Sequence, residues 1–182
     1  MIYKFIKNPI TNGTLSIKNL SLDNIEFIRQ IRNNQIDYLR QTKKISKQDQ
    51  INYFNNYVLR ETKRKKPEII LFGLFDYSQL VGYGGFVHIS WKDKRTEMSL
   101  LFDHTLNINK TIKYYSSFID IIIEMGFKNY NFNKISTETY AFRPKIIKLL
   151  QKKKFILEGC LKKHIKYKNK LIDSYLHAKF YK

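Results

Sequence analysis

The sequence predicts a single mixed α/β (α+β) domain, in which a central sheet of about seven strands is flanked by about four helices. A chain of 182 residues suits one domain with a sizeable core. Its 43% hydrophobic content, including 15% aromatic residues, is typical of a folded chain. Strand-like and helix-like patterns alternate without a repeat or a low-complexity break. We therefore expect one domain over residues 1–182, with its core at about 13–181.

The first third of the chain predicts one strand and two helices, although residues 1–12 give little signal. Gly13–Leu20 alternates apolar and polar residues, as a half-buried strand does. Ser21 can cap a helix with apolar residues at helical spacing, which are Leu22, Ile25, Ile28 and Ile31. Ser46 and Asp49 form a capping-box pattern that opens the second helix. Its apolar face carries Ile51, Phe54 and Val58.

The middle of the chain predicts the part of the sheet that would hold a chemical site. Glu68–Phe75 is a short apolar run, typical of a strand covered on both faces. Leu80–Trp91 and Arg95–Phe102 predict two further strands, and a polar loop then leads into an amphipathic helix over Thr111–Phe127. A strand, a loop and a helix in this order offer free backbone N–H groups to an anionic ligand. We therefore expect any chemical site at that junction.

Three glycines, Gly82, Gly84 and Gly85, lie inside the predicted Leu80–Trp91 strand. Glycine weakens a strand unless a backbone or ligand approaches closely or a bulge is present. The sequence leaves open whether these glycines serve a ligand or only tight packing beneath aromatic neighbours.

The last third of the chain predicts three strands and one helix. Lys134–Thr139 alternates as a strand, and Pro144 suits the first position of a helix because its missing N–H costs nothing there. Lys154–Gly159 begins another strand, and Leu171–Phe180 forms the last one.

The chain is strongly basic, with 34 Lys and Arg against 15 Asp and Glu and a formal net charge of +19. A codon bias that fills the surface with Lys explains this charge, and so would an anionic small ligand or a nucleic acid. The sequence alone leaves the three explanations open.

Cysteine and histidine usage bounds the chemistry further. The single cysteine, Cys160, excludes an intrachain disulfide and fits a reducing compartment, so we expect a cytoplasmic protein. Four scattered histidines give no zinc-ligand spacing, so no metal is expected. No run of about 18 apolar residues predicts a membrane span.

Several motifs accompany this order of elements. They are Ile28-Arg29-x-Ile31-Arg32-Asn33, Val81-Gly82-Tyr83-Gly84-Gly85, Thr96-Glu97-Met98-Ser99, Ile146-Ile147-x-Leu149-Leu150-x-Lys152-x-x-Phe155-x-x-Glu158-Gly159 and Ile172-Asp173-Ser174-Tyr175. Together with the element order, these motifs resemble the GCN5-related N-acetyltransferase (GNAT) superfamily. The chain looks most similar to the branch that acetylates ribosomal-protein N-termini, spermidine or amino-sugar nucleotides.

The resemblance implies that acetyl-CoA binds where the Arg95–Phe102 and Lys134–Thr139 strands separate. The pantetheine arm would then meet backbone around Leu100, Leu101 and Phe102. The remaining implied contacts, at the helix start and at the position of the family's helix Asn, are Asn107, Asn109, Lys110, Thr111 and Arg143. The chain departs from the family because the usual glycine-rich pyrophosphate loop is absent and Leu150 stands where a tyrosine general acid is common.

The resemblance also implies a base that takes a proton from the acceptor ammonium. Glu97 matches the fourth-strand glutamate of several family members, and His88 is a second candidate because histidine as a residue type suits proton transfer near neutral pH. Tyr140 could protonate the leaving thiolate, and Glu138 beside it is a further candidate base. Each could instead be structural, since strand glutamates often form ion pairs and strand histidines are often packed.

We therefore expect an acetyl-CoA-dependent N-acetyltransferase that acts on a primary amine, such as an amino-sugar nucleotide or a protein N-terminus. Its partner would be a small amine or nucleotide-sugar acceptor, and it would be a monomer or a homodimer with no membrane association. The alternatives are a catalytically silent acyl-CoA-binding module and a basic nucleic-acid-binding protein.

Overall fold

The computed structural model describes residue 6 and residues 8–181, which contain one eight-stranded sheet in the order β1-β2-β3-β4-β5-β6-β8-β7. The strands are β1 Ile10–Asn12, β2 Leu15–Asn19, β3 Ile70–Asp76, β4 Gln79–Ser90, β5 Arg95–Phe102, β6 Lys134–Tyr140, β7 Ile156–Tyr167 and β8 Lys170–Phe180. Neighbouring strands are antiparallel except β5 and β6, which are parallel. The predicted mixed α/β class is confirmed.

The sheet has one strand more than predicted, because Ile10–Asn12 folds back on β2. Gly13, which has a φ of +66°, lies in the turn between them. A strand of three residues is too short to show an alternating pattern, so no local signal indicates it.

Helices cover both faces of the sheet. They are α1 Ile25–Asn33, α2 Lys47–Tyr53, α3 Leu59–Thr62, α4 Ile108–Glu124 and α5 Pro144–Lys152. The π-helical turn Phe54–Val58 joins α2 to α3, so these two form one helical body and the helical bodies number about four, as predicted. Pro144 occupies the first turn of α5, and Ser46 caps α2 by accepting the backbone N–H of Asp49, both as predicted.

The hydrophobic core is divided between the two faces of the sheet. Phe118, Ile119 and Ile122 of α4 are fully buried in the larger cluster. The second cluster holds Ile28 of α1 and Phe54. Because side chains alternate along a strand, Phe102 joins the first cluster and Leu101 joins the second. The sheet is therefore covered on both sides, and its ends are free to form a site. The predicted single domain of residues 1–182 stays a prediction, and its extreme ends lie outside the described residues.

Two glycines of β4, Gly82 and Gly84, allow the backbone of the neighbouring strand β5 to approach closely. A Cβ on Gly84 would lie 2.5 Å from the carbonyl oxygen of Ser99, and a Cβ on Gly82 would lie 2.5 Å from that of Leu101. Both oxygens belong to the paired strand β5. Close packing between strands therefore explains these glycines, and no ligand is needed to account for them.

Candidate active site

The parallel strands β5 and β6 separate after a short stretch of pairing. Their register joins Arg95 to Lys134, Thr96 to Ile135 and Glu97 to Ser136, and stops there. Both strands continue, β5 to Phe102 and β6 to Tyr140. A gap between the two strands therefore opens beyond Glu97, at the place where the sequence predicted it.

A cleft of about 1040 Å³ lies along this gap. Ser99, Leu100 and Thr139 line it from the separating strands, while Tyr115 and Ile146 line it from α4 and α5. The segment Tyr38–Ile45, which connects α1 to α2, also lines the cleft. The charged residues of the whole lining are Arg32, Arg40, Lys43, Lys44, Asp49, Glu68, Glu97, Glu138 and Arg143. Apolar and charged side chains thus both line the cleft.

Glu97 lies at the closed end of the gap, where pairing between β5 and β6 stops. Its carboxylate oxygens are 3.2 and 3.4 Å from Nη2 of Arg40, and its side chain is 24% exposed. These contacts are long for charge-assisted hydrogen bonds, whose usual length is about 2.7–2.9 Å. Glu97 is therefore paired only weakly and stays open to the cleft.

Glu138 has much stronger contacts than Glu97. Its Oε2 accepts from Nη2 of Arg40 at 2.5 Å, its Oε1 accepts from the Ser174 hydroxyl at 2.6 Å, and its side chain is only 9% exposed. Burial opposes its ionisation, but the hydrogen bonds from Ser174 and Arg40 outweigh this effect and lower the pKa of Glu138. A carboxylate held in this way is a weak base.

His88 lies beside Glu97 but faces solvent. Its Nε2 is 3.3 Å from Nη1 of Arg40 and 4.0 Å from Oε2 of Glu97, and its side chain is 65% exposed. The backbone of His88 has a φ of +50° in an irregular stretch where the β4–β5 register shifts. The fold therefore brings together two of the candidate bases, His88 and Glu97, and their catalytic roles stay predictions.

Tyr140 ends β6 on the wall of the cleft. The residue is 8% exposed, and burial, with a further contribution from Glu138, raises the pKa of its hydroxyl. A phenol whose pKa is raised keeps its proton at neutral pH, so Tyr140 can donate a proton or a hydrogen bond.

The start of α4 differs from the prediction, because the helix begins at Ile108 and not at Thr111. Asn107 is its N-cap and accepts the backbone N–H of Asn109 at 2.8 Å. The N–H and the hydroxyl of Thr111 both bond to the carbonyl oxygen of Asn107. In the part of the chain that the structure describes, the first-turn N–H groups of Ile108 and Lys110 have no bond of this kind, but none of residues 107–111 lines the cleft.

The side chain of Lys110 points to a partner within the protein. Its ammonium lies 2.9 Å from Oδ2 of Asp76, at the end of β3, and this pairing raises the pKa of Lys110. Half of the Lys110 side chain is exposed. Its predicted contact with a pyrophosphate therefore requires the ion pair to open, or uses only the Lys110 backbone.

Arg143 precedes α5 and reaches into the cleft. Its Nη2 donates to the hydroxyl of Tyr115 at 2.5 Å, and its guanidinium lies 5.4 Å from the ring centres of Tyr38 and Tyr115. The bond to α4 and the two rings hold this cation between the strands and the helices, within reach of an anionic ligand.

The three predicted pantetheine contacts on β5 are not equivalent. Leu100 is half-buried and lines the cleft, whereas the side chains of Leu101 and Phe102 are buried on opposite faces of the sheet. The carbonyl oxygen of Phe102 accepts from Nε2 of Gln35 at 2.7 Å. The backbone of Leu100 is therefore the most accessible of the three.

Two residues central to this site were not predicted from the sequence. Arg40 follows a short 3-10 turn in a polar stretch without periodicity, and Ser174 lies within the last strand. Arg40 carries no local pattern, and Ser174 belongs to a motif that carried the family resemblance but implied no role in the site. Only the chain's long-range contacts bring them to Glu138.

The described residues hold neither a cluster of metal ligands nor a helix that could span a membrane. Across residue 6 and residues 8–181, no three His, Cys, Asp or Glu side chains are grouped to hold a metal ion. The helices found in that part of the chain include none that is long and apolar enough to cross a membrane.

Comparison with solved structures finds the same fold in spermidine N-acetyltransferases of Vibrio cholerae. One, in complex with CoA and spermine, aligns with a TM-score of 0.81 at 17% identity, over 93% of this chain and 96% of the other. Mutant forms of the spermidine/spermine N-acetyltransferase SpeG align at 0.78 and 17% identity, over 93% and 95%. A dodecameric form in an intermediate state aligns at 0.75 and 18% identity, over 93% and 95%. No curated protein sequence matches the chain.

The family itself follows from the sequence. The family model described as an acetyltransferase (GNAT) domain matches residues 17–176, which is most of the chain. The predicted fold, the N-acetyltransferase class and acetyl-CoA as the family's co-substrate are thereby confirmed. The chain belongs to the GNAT family of acetyltransferases.

Proposed function

We propose that this protein transfers the acetyl group of acetyl-CoA to the primary amine of a small acceptor or a protein N-terminus. The observation that carries the proposal is the gap between β5 and β6, which has the open carboxylate of Glu97 at its closed end. A reactive thioester in the gap and an amine among the charged residues of the cleft would meet beside Glu97.

The residues of the gap suit the arm of acetyl-CoA. Unpaired strand backbone around Leu100 can bond to amides, and Ile146 and Tyr115 offer apolar contacts. The N–H groups of Ile108 and Lys110 at the start of α4, with Arg143 beside Tyr115, supply donors for phosphate oxygens. These groups replace the missing glycine-rich loop in our proposal.

Glu97 is the proposed base. An ammonium must lose a proton before its nitrogen can attack the thioester carbonyl, and Glu97 accepts that proton directly or through water. The nitrogen then forms a bond to the acetyl carbon as the bond from carbon to sulfur breaks, and the second proton of the nitrogen passes to water as the amide forms. His88, 4.0 Å from Glu97, can pass the proton to solvent, since it is exposed.

Tyr140 is the proposed acid. Since its raised pKa keeps the hydroxyl protonated, it can donate to the departing thiolate in place of the tyrosine that the family commonly has at the position of Leu150. Its position at the end of β6, on the wall of the gap, supports this role.

An acceptor with one ammonium and an anionic portion suits the charged residues of the cleft best. Arg32, Lys43 and Lys44 are among the residues that line the cleft and can meet a phosphate or carboxylate of the acceptor. We therefore favour an amino-sugar nucleotide, with a protein N-terminus second. The aligned spermidine N-acetyltransferases make a polyamine a further candidate, but a net charge of +19 opposes the approach of a polycation.

Two measurements on the purified protein test this function. Acetyl-CoA at about 100 times its Kd should stabilise the native state by about 2.7 kcal/mol and raise Tm. Thiol release with a panel of amines should then show turnover with at least one UDP-linked amino sugar or N-terminal peptide. Absence of both the Tm shift and thiol release would refute the proposal.

A substitution inside the gap provides the matched test of the donor site. Ser99 is exposed and lines the cleft beyond the last paired position, so Ser99→Trp should fill the gap and abolish the shift by acetyl-CoA. Gln48→Trp places the same side chain on an exposed position of α2 outside the cleft and should leave the shift unchanged. An undiminished shift in the Ser99 variant would move the donor away from the gap.

The remaining properties are proposals of the same kind. A free Cys160 supports a cytoplasmic location. We propose a monomer or homodimer, which size-exclusion chromatography with light scattering tests. A larger assembly, such as the dodecamer described for one aligned structure, would contradict this proposal.

A further inference from the structure

One cation of the protein lies between the two carboxylates of the cleft. Nη2 of Arg40 contacts Glu97 on β5 at 3.2 Å and Glu138 on β6 at 2.5 Å. The guanidinium therefore bridges the two strands near the point where they separate. An ammonium group of a substrate would seek the same place, because it offers two carboxylates to one cation.

The backbone next to Arg40 is fixed, whereas the Arg40 side chain is half exposed. Gln41 donates to Asn33 at 3.1 Å and accepts from Arg32 at 3.1 Å, and both partners lie on α1. Two further bonds between Asn33 and the backbone of Ile45 close the segment, at 2.8 and 2.9 Å. The Arg40 guanidinium is thus presented to the carboxylates from an anchored segment.

The two carboxylates differ in how completely Arg40 neutralises them. Glu138 has its short bond to Arg40 and a second bond from Ser174, so both of its oxygens are used. Glu97 has only the longer contacts and retains exposed surface. With Arg40 in place, the cleft offers one open carboxylate near the gap.

We propose that Arg40 determines acceptor specificity, because its guanidinium fills the site that a second ammonium of a polyamine would require. This inference rests on the proposed transferase function and adds to it the class of acceptor. With Arg40 present, Glu97 receives the reacting amine and Glu138 is neutralised within the protein. Without Arg40, Glu97 and Glu138 form a site for two positive charges.

Arg40→Ala tests this inference directly. We expect spermidine to bind the variant at least tenfold more tightly than the wild type, as measured by isothermal titration calorimetry in the presence of CoA. A tenfold change corresponds to about 1.4 kcal/mol. In thiol-release assays, the ratio of kcat/KM for spermidine to that for a UDP-linked amino sugar should rise by the same factor or more.

Lys47→Ala is the matched control, because Lys47 is an exposed lysine of α2 outside the cleft and its loss removes one positive charge without touching either glutamate. Spermidine affinity of this variant should stay within about threefold of the wild type. Arg40→Lys keeps a cation at the site and should keep the wild-type preference. The double variant Arg40→Ala with Glu138→Gln should lose the gain of Arg40→Ala.

Three results would overturn the inference: equal spermidine affinity in the Arg40→Ala and Lys47→Ala variants, tight spermidine binding by the wild type, or a gain that persists without Glu138. Arg40→Gln replaces the alanine variant if the latter is unstable. Failure of the proposed function is distinguishable, because it shows as a wild type that releases no thiol with any amine. The calorimetric comparison does not depend on turnover.

Discussion

Replacing Glu97 by glutamine should lower turnover, whereas replacing Glu138 by glutamine should lower stability. Glu97→Gln should lower kcat by a factor of about 10² to 10⁴, the range that a general base contributes. Each factor of ten corresponds to about 1.36 kcal/mol of activation free energy. The free energy of unfolding should change by less than about 1 kcal/mol, because the pair of Glu97 with Arg40 is long and its Arg40 side is 54% exposed.

Glu138→Gln should act mainly on stability. The amide oxygen can still accept from Ser174, so the main loss is the charge-assisted bond from Arg40 at a carboxylate that is 9% exposed. Bonds to charged groups contribute about 1.5–3 kcal/mol, which would lower Tm by roughly 3–12 °C for a chain of this size.

Thiol release at saturating acetyl-CoA measures the first effect, and thermal unfolding measures the second. Calorimetry with acetyl-CoA should give the same affinity for the Glu97 variant as for the wild type. Wild-type turnover by the Glu97→Gln variant would remove Glu97 from the role of base. A large loss of turnover in the Glu138 variant at unchanged stability would exchange the roles of the two glutamates.

Two further predictions concern the scaffold. Gly84→Ala should destabilise the protein by about 1–3 kcal/mol in denaturant unfolding, because its Cβ would meet the Ser99 carbonyl at 2.5 Å. Gly159→Ala is the control and should cost less than about 1 kcal/mol, because the nearest contact of its Cβ is Leu176 at 3.9 Å. Equal costs for the two variants would contradict the packing argument. Burial lowers the pKa of His177 below its ordinary value of about 6.5, so the unfolded chain binds a proton that the native state does not. Stability should be fully present above about pH 6.5 and decline as the pH falls toward the native pKa; His177→Leu should flatten that decline in urea unfolding, and an unchanged slope would assign it to other groups.

Local patterns predicted the scaffold well, and β5 shows why. The bounds of Arg95–Phe102 agree with its apolar pattern, and Pro144 begins α5 as its fixed φ requires. Both depend on forces that act within a few residues. The start of α4 was missed by three residues because Asn107 caps the helix, and a cap has a weaker signature than an apolar face.

The sequence by itself determined the family and the order of the strands and helices apart from β1, and the family resemblance implied the location of the gap between two parallel strands. Only the tertiary structure decided how the charges within the site are paired. Arg40 lies 57 residues from Glu97 and 98 from Glu138, and Lys110 turns to Asp76 of another strand. Ion pairs of this kind depend on where the folded backbone places each side chain, and no local periodicity records that placement.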